Sequence, residues 1–234
     1  MKKTLSFVLA LLMILSVTAF AADEEEAFTP EPGAHWEEVS SGVKVWTSST
    51  GNRRVHVWIE IRNTGDTPLF LSSTSIDLED ADGGLCQTLS SVNGFPQVLM
   101  PGETGVYDDV VMADDELPDD GLSIYCRPKI SEAKVPCVRY DVTGVKISTD
   151  KFKRTTAKGR VENNTDELAD GIISVAVLCY DKDGSYLGIL RTYLTDDIPA
   201  GERQGFETMS ADWPVTADDI AETVAFCYPQ QFQF

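Results

Sequence analysis

Two pairs of aspartates in this chain have a spacing that could hold a hard cation. Asp80 and Asp82 stand in Asp80-Ala-Asp-Gly-Gly, and Asp181 and Asp183 in Asp181-Lys-Asp-Gly-Ser. Closely spaced carboxylates suit calcium, but a full calcium loop also needs a bidentate Glu at its end, and neither pair has one there. Asp-Gly is equally the preferred chemistry of a tight hairpin. Both segments are read as turns, with calcium the alternative and no other cofactor called for. The two histidines, His35 and His56, offer little for nucleophilic chemistry. A nucleophile needs a base beside it and a third group to orient the base. No serine lies in a Gly-x-Ser-x-Gly context and no His-Glu-x-x-His occurs. His56 lies in a strand between Val55 and Val57 and is expected on its solvent face. The many acids could include a glycosidase pair, but no single pair stands out.

The five cysteines are Cys86, Cys126, Cys137, Cys179 and Cys227. An exported chain permits disulfides, and an odd count leaves at least one thiol over. Cys126 and Cys137 flank a short linker and could close a small loop. Cys179 and Cys227 could staple the second half of the chain, although Leu78 stands where Cys179 would be in the first half. Without a bridge, Cys179 is a small buried apolar residue. Of the four tryptophans, Trp46 and Trp58 sit among alternating apolar neighbours and are assigned to packing. Trp36 and Trp213 lie near strand edges or loops and are a candidate stacking platform for a sugar or peptide.

The elements that must position these residues come in two copies. Val55-His-Val-Trp-Ile-Glu-Ile-Arg-Asn-Thr-Gly, Ile76-Asp-Leu-Glu-Asp and Met100-Pro-Gly-Glu are answered by Ala157-Lys-Gly-Arg-Val-Glu-Asn-Asn-Thr-Asp, Val177-Leu-Cys-Tyr-Asp and Pro199-Ala-Gly-Glu. Asn63 stays in step with Asn163, Asp80 with Asp181 and Gly102 with Gly201. A period near a hundred residues means two copies of a domain rather than a solenoid. Within each copy, period-two alternation marks strands and Asn, Asp, Gly and Pro clusters mark turns. In Ile173-Ser-Val-Ala-Val-Leu-Cys-Tyr, residues Ile173, Val175, Val177 and Cys179 share one face. Sustained helical periodicity is nearly absent, and Ala217 to Glu222 could form one helical turn. Short strands with regular turn signals indicate a β-sandwich.

The N-terminus reads as an export signal, residues 1–21. Lys2 and Lys3 precede the apolar run Leu5 to Val17, and Ala19-Phe20-Ala21 forms a cleavage site. The run is too short to span a bilayer comfortably, and no lipid-anchor cysteine follows it. The chain carries a net charge of −19. Cleavage would remove two cations and no acid, leaving the remainder more acidic still. Such a surface excludes nucleic acid as a partner, because phosphate binding needs Lys and Arg clusters. It also disfavours anionic lipid and acidic wall polymers.

The second copy resembles the FxLYD-type immunoglobulin-like domains of bacterial exported proteins. The resemblance is carried by Val177-Leu-Cys-Tyr-Asp, Gly184 in the hairpin and Ala200-Gly-Glu in the later turn. Val177 replaces that family's aromatic residue and Cys179 its leucine. In the first copy Ile76-Asp-Leu-Glu-Asp keeps the alternation and the Asp but loses the Tyr. The resemblance implies a surface or secreted module, a spacer or binding unit, with no catalytic residues to carry over.

The expected fold is therefore all-β, two tandem immunoglobulin-like sandwiches behind a cleaved signal. The boundaries are an acidic disordered leader at 22–34, a first repeat at 35–127, a linker at 128–137 and a second repeat at 138–234. The expected function is a non-catalytic secreted or cell-surface module that binds an extracellular protein or glycan, or acts as a spacer. The alternatives are a secreted hydrolase with carboxylates in a cleft between the repeats, and a self-associating structural surface protein.

Overall fold

A computed structural model describes residues 28–48, 50–209 and 213–231. The expected signal, residues 1–21, lies outside them. The described residues form an all-β molecule. Its strands are β1 (Trp36–Thr47), β2 (Arg53–Asn63), β3 (Leu69–Ser72), β4 (Thr74–Glu79), β5 (Leu85–Phe95), β6 (Val98–Leu99), β7 (Thr104–Met112), β8 (Ser123–Cys126), β9 (Lys129–Glu132), β10 (Asp141–Thr149), β11 (Thr155–Glu162), β12 (Ile173–Tyr180), β13 (Tyr186–Leu194), β14 (Arg203–Glu207) and β15 (Glu222–Pro229). A 3-10 turn at Ala217–Asp219 precedes β15. Among the described residues no helix is long and apolar enough to cross a membrane.

The alternation in sequence becomes layers. In the first half, β1-β2-β7 faces β5-β4-β8 across a core of Val55, Val57, Ile59, Ile61, Ile76, Leu78 and Tyr107. In the second half, β10-β11-β14 faces β13-β12-β15 across Ala157, Val161, Ile173, Val175, Val177, Cys179 and Phe206. Strand order and antiparallel pairing are the same in both halves. One difference is the length of β5. Its start pairs with β4 and its end, Asn93 to Phe95, pairs with β7, so the first half's two sheets run into one of six strands. No ladder joins β13 to β14 among the described residues.

Equivalent asparagines tie each half together. Asn63 is fully buried; its Nδ2 donates to the carbonyls of Thr67 and Leu99, each at 2.9 Å, and its Oδ1 accepts from Gly65 N–H at 3.0 Å. Asn163, also fully buried, donates to Glu167 and Ile198, each at 2.8 Å, and accepts from Thr165 N–H at 3.1 Å. The backbone repeats too: Gly102 N–H donates to the Asn63 carbonyl and Gly201 N–H to that of Asn163. A buried amide satisfied on both ends is a strong local constraint.

Two expected boundaries change. The linker at 128–137 contains β9, which pairs with β3 along Leu69 to Ser72 and so belongs to the first half's ladders. The end of the expected disordered leader is packed, because residues 28–34 find partners at the Asn63 turn. Glu31 bridges Gly65, Gly33 N–H donates to Asp66 at 2.7 Å, and the Arg62 guanidinium lies 5.3 Å from the Phe28 ring centre.

Candidate functional site

The densest group of chemistry-bearing side chains lies between the two halves. Strand alternation puts Val55, Val57 and Ile59 of β2 into the core, so His56, Trp58 and Glu60 point to the opposite face. On that face β7 adds Val106 and Asp108, which register against Glu60 and Trp58, and β5 adds Phe95. In the second half, Val175, Val177 and Cys179 point into the core, so β12 turns Ala176, Leu178 and Tyr180 outward. Those residues, with Tyr186, Ile189, Phe226 and Tyr228, pack on Phe95, Val106 and Trp58 as a third apolar cluster.

Polar groups are threaded through this cluster. His56 Nε2 lies 2.6 Å from Asp108 Oδ2, and the Tyr186 hydroxyl donates to the same oxygen at 2.9 Å. His56 is 5% exposed and Asp108 4%. Glu60, equally buried, accepts from the Ser40 hydroxyl, and its carboxylate acts on the Tyr180 phenol. Trp58 stands beside His56 and Tyr186, with ring centroids 5.0 and 6.2 Å away, and Tyr180 meets Tyr186 edge-on at 5.7 Å. Gly42 makes room for the indole: a Cβ there would fall 2.2 Å from Trp58 Cζ2. Arg191 of β13 covers the Phe95 ring at 5.2 Å and approaches Asp109 at 3.9 Å. Arg139 donates to the Val98 carbonyl and to Glu103, and lies 5.5 Å from the ring centres of Phe226 and Tyr228.

The electrostatics fit a sealed contact. Burial first, then the charge of Asp108 and its hydrogen bond, push the Tyr186 phenol well above its ordinary pKa. Burial and then Glu60 do the same to Tyr180. Burial raises Asp109 above the usual carboxylate range, against the opposing pull of the Val110 amide and Arg191. Both tyrosines therefore remain donors at neutral pH, and neither is a phenolate nucleophile. A His-carboxylate pair can orient a base. Here the third partner is a phenol that stays protonated, and the pair is shut from water. The arrangement supplies a directed hydrogen bond, Tyr186 to Asp108, across an apolar contact.

His56 was expected on a solvent face. It is buried because the outer face of β2 is covered by the second half, which alternation along β2 does not reveal. Neither candidate bridge, Cys126–Cys137 or Cys179–Cys227, is formed: all five cysteines are free. Cys179 registers with Thr223 and Cys227 with Val175, which puts the two thiols four rows apart on neighbouring strands. Burial pushes both up to about 12, so neither is a reactive thiolate at neutral pH. Cys126 lies against Thr74 and Ser75 on the β4 side, while Cys137 lies in the field of Arg139 and Glu103. Trp36 and Trp213 do not make a shared platform. Trp36 is exposed at the start of β1, and Trp213 is buried over Gly188 in the second core.

The paired aspartates close hairpins. Asp80 Oδ1 accepts the N–H groups of Asp82 and Gly84 at 2.9 and 2.8 Å, and Asp181 Oδ1 those of Asp183 and Ser185 at 2.9 Å each. Those amides pull Asp181 below the usual carboxylate range. Asp82 and Asp183 sit at the exposed tips, and among the described residues no three acids, histidines or cysteines converge as a metal site. Asp181 and Asp183 line a groove of about 450 Å³ with Lys44, Asp218 and Asp219. The Thr216 amide and hydroxyl also hold Asp219 low. His35 closes locally on the Pro32 carbonyl at 3.0 Å and on Glu31 at 3.3 Å.

Asp108, Tyr180, Tyr186 and Glu60 were not singled out from the sequence. A signal was present: Ile173 to Tyr180 is apolar on both parities apart from Ser174, and β2 alternates aliphatic residues with His, Trp and Glu rather than with Lys or Ser.

No family model matches the chain. No curated protein matches it. Among solved structures it is similar to a Bacteroides uniformis beta-glucuronidase 2 covalently bound to cyclophellitol-6-carboxylate aziridine, at 11% identity and a TM-score of 0.22. It is similar also to another Bacteroides uniformis beta-glucuronidase structure, at 10% identity and a TM-score of 0.22. Each alignment covers 79% of this chain and 28% of the other, so the chain spans under a third of the length of these structures. A likeness this slight carries no argument about activity.

Proposed function

We propose that the chain is a non-catalytic extracytoplasmic module: two immunoglobulin-like units of FxLYD type, held in one orientation, serving as a rigid spacer or binding unit for an extracellular protein or glycan. The observation that carries this reading is the use made of its most reactive-looking side chains. His56, Asp108, Glu60, Tyr180 and Tyr186 are packed into the contact between the halves, and Tyr186 of one half donates to Asp108 of the other. A linker free to swing would need none of them, whereas a spacer that transmits position or force needs the joint stiff. The export signal at 1–21 and the strongly acidic surface support a place outside the cytoplasm.

A hydrolase in the cleft between the halves would need two carboxylates pushed apart in pKa. In the groove lined by Asp181 and Asp219 both resolved shifts run the same way, down. Small-angle scattering tests the stiff joint. The chain from Ala22 should scatter as one rigid particle, and Leu178→Asp should lengthen it while each half stays folded. Unchanged scattering on Leu178→Asp, or hydrolysis by the intact protein that His56→Gln abolishes, would remove the proposal.

A further inference from the structure

The second half carries a loop that its fold does not require. The β10–β11 hairpin runs Asp150-Lys-Phe-Lys-Arg154, and its counterpart between β1 and β2 runs Ser48-Ser-Thr-Gly-Asn52. The turns are equivalent: Ser48 N–H donates to the Asn52 carbonyl and Asp150 N–H to that of Arg154. Asp150 alone closes the charged version. Its Oδ1 accepts from the Phe152 and Arg154 amides at 2.8 and 3.0 Å, and its Oδ2 takes the Arg154 guanidinium at 2.9 and 2.7 Å. Lys151, Phe152 and Lys153 are therefore surplus to turn formation. Phe152 is 58% exposed. Lys153 has φ 62, the one positive φ outside glycine among the described residues, where the first half has Gly51 at φ 83. That geometry is strained for a side chain and easy for glycine. Neither lysine is in an ion pair among the described residues, and the centre of the Phe152 ring lies 4.9 Å from the Lys151 ammonium and 5.3 Å from the Arg154 guanidinium. With Thr50 of the first half, the loop lines an open cavity of about 600 Å³.

The geometry points to an acidic peptide segment as the occupant, and to the Asp23-Glu-Glu-Glu26 run of a second copy of this chain as its source. The run is the densest acidic stretch in the sequence and complements two lysines that have no carboxylate partner among the described residues, on a chain of charge −19. It cannot reach the loop of its own molecule. Phe28 and Glu31 are fixed at the Asn63 end of β2, while the cavity lies at the Thr50 end. The eleven residues of β2 separate those ends by roughly 36 Å. Asp23 lies five residues before Phe28, a reach of at most about 18 Å. The contact is thus between molecules, joins two different surfaces, and repeats head to tail, as a ring where the rotation closes and as a filament where it does not. In the cavity the carboxylates would meet Lys151 and Lys153 beside the Phe152 ring. The inference does not depend on the non-catalytic reading.

Sedimentation equilibrium of the chain from Ala22, at low and high salt, tests it. Self-association should appear at low salt and weaken at least about tenfold in Lys151→Glu/Lys153→Glu, because exposed charge pairs are individually weak and salt-screened. Neutralising the run (Asp23→Asn with Glu24, Glu25 and Glu26→Gln) should cause the same loss, and combining both sets should add nothing. Placing lysines at 24, 25 and 26 should restore pairing with the Lys151→Glu/Lys153→Glu protein. A monomer under all conditions, association indifferent to the two lysines, or additive losses would overturn the inference. So would binding to anionic vesicles through Lys151 and Lys153 without self-association, which would assign the loop to a membrane.

Discussion

Strand β12 and its counterpart β4 occupy the same place in their respective halves, yet only one is buried on both faces. Thr74, Ile76 and Leu78 of β4 enter the core as Val175, Val177 and Cys179 of β12 do. The outward positions differ. β4 presents Ser75, Asp77 and Glu79, where β12 presents Ala176, Leu178 and Tyr180. The other sheet shows the reverse. β2 presents His56, Trp58 and Glu60 outward, where β11 presents Thr156, Lys158 and Arg160. One half therefore docks through its β1-β2-β7 face and the other through its β13-β12-β15 face. Two copies of one architecture make an asymmetric contact because each has had a different outer face made apolar or partnered. The remaining outer faces keep the polar residues of a solvated sheet.

The shared asparagine is the severest place to test how alike the halves are. Asn63→Ala and Asn163→Ala each remove three hydrogen bonds made by a fully buried amide, and each should cost about 3 kcal/mol. Thermal unfolding by circular dichroism should show two losses of similar size, and a large difference would mean that the halves do not carry equal stability. The next test is the docking face. Leu178→Asp gives β12 the residue type of β4 at Asp77 and buries an uncompensated charge, at a cost of about 3 kcal/mol to docking. Asp77→Leu should change stability by less than about 0.5 kcal/mol. Tyr186→Phe leaves Asp108 with His56 and should cost about 1 kcal/mol, read by urea unfolding.

The hairpin pair gives a smaller effect of opposite sign in each half. Lys153→Gly should stabilise by up to about 1 kcal/mol by relieving positive φ, and Gly51→Lys should destabilise by a similar amount. The pH response separates joint from hairpins. Tyr180 and Tyr186 have folded pKa values above the ordinary phenol value of 10.0. Their contribution is complete below that value and is lost as pH rises past it, so alkali should open the joint, seen as rising tyrosinate absorbance together with a larger scattering radius. Asp150 and Asp181 are held below the carboxylate value of 3.8 by backbone amides. Their contribution is present above that value and is lost as pH falls through the lower folded pKa, loosening the two hairpins without opening the joint. Backbone amide shifts at Phe152 and Asp183 would report it.

Parts of this organisation were legible in the chain and parts were not. Asn63 and Asn163 mark equivalent turns because each turn needs an amide to tie three backbone groups at once, and that demand is local. The Asp80 and Asp181 hairpins are legible for the same reason. The candidate site was harder to see. His56 looks like a solvent-facing strand residue, and Asp108 looks like half of an ordinary acidic pair, until Tyr186, 78 positions away, closes over both. Residues 28–34 read as unstructured because their partners, Arg62 and Gly65, lie far along the chain.

By itself the sequence determined the strands, their inward residues and the turns between them, since alternation and turn chemistry act over a few residues. Only the tertiary structure decided which outer faces meet, and with them the burial of His56, Asp108 and Glu60. Alternation specifies that a side chain points outward, but whether it meets water or another sheet depends on long-range packing that no local pattern records.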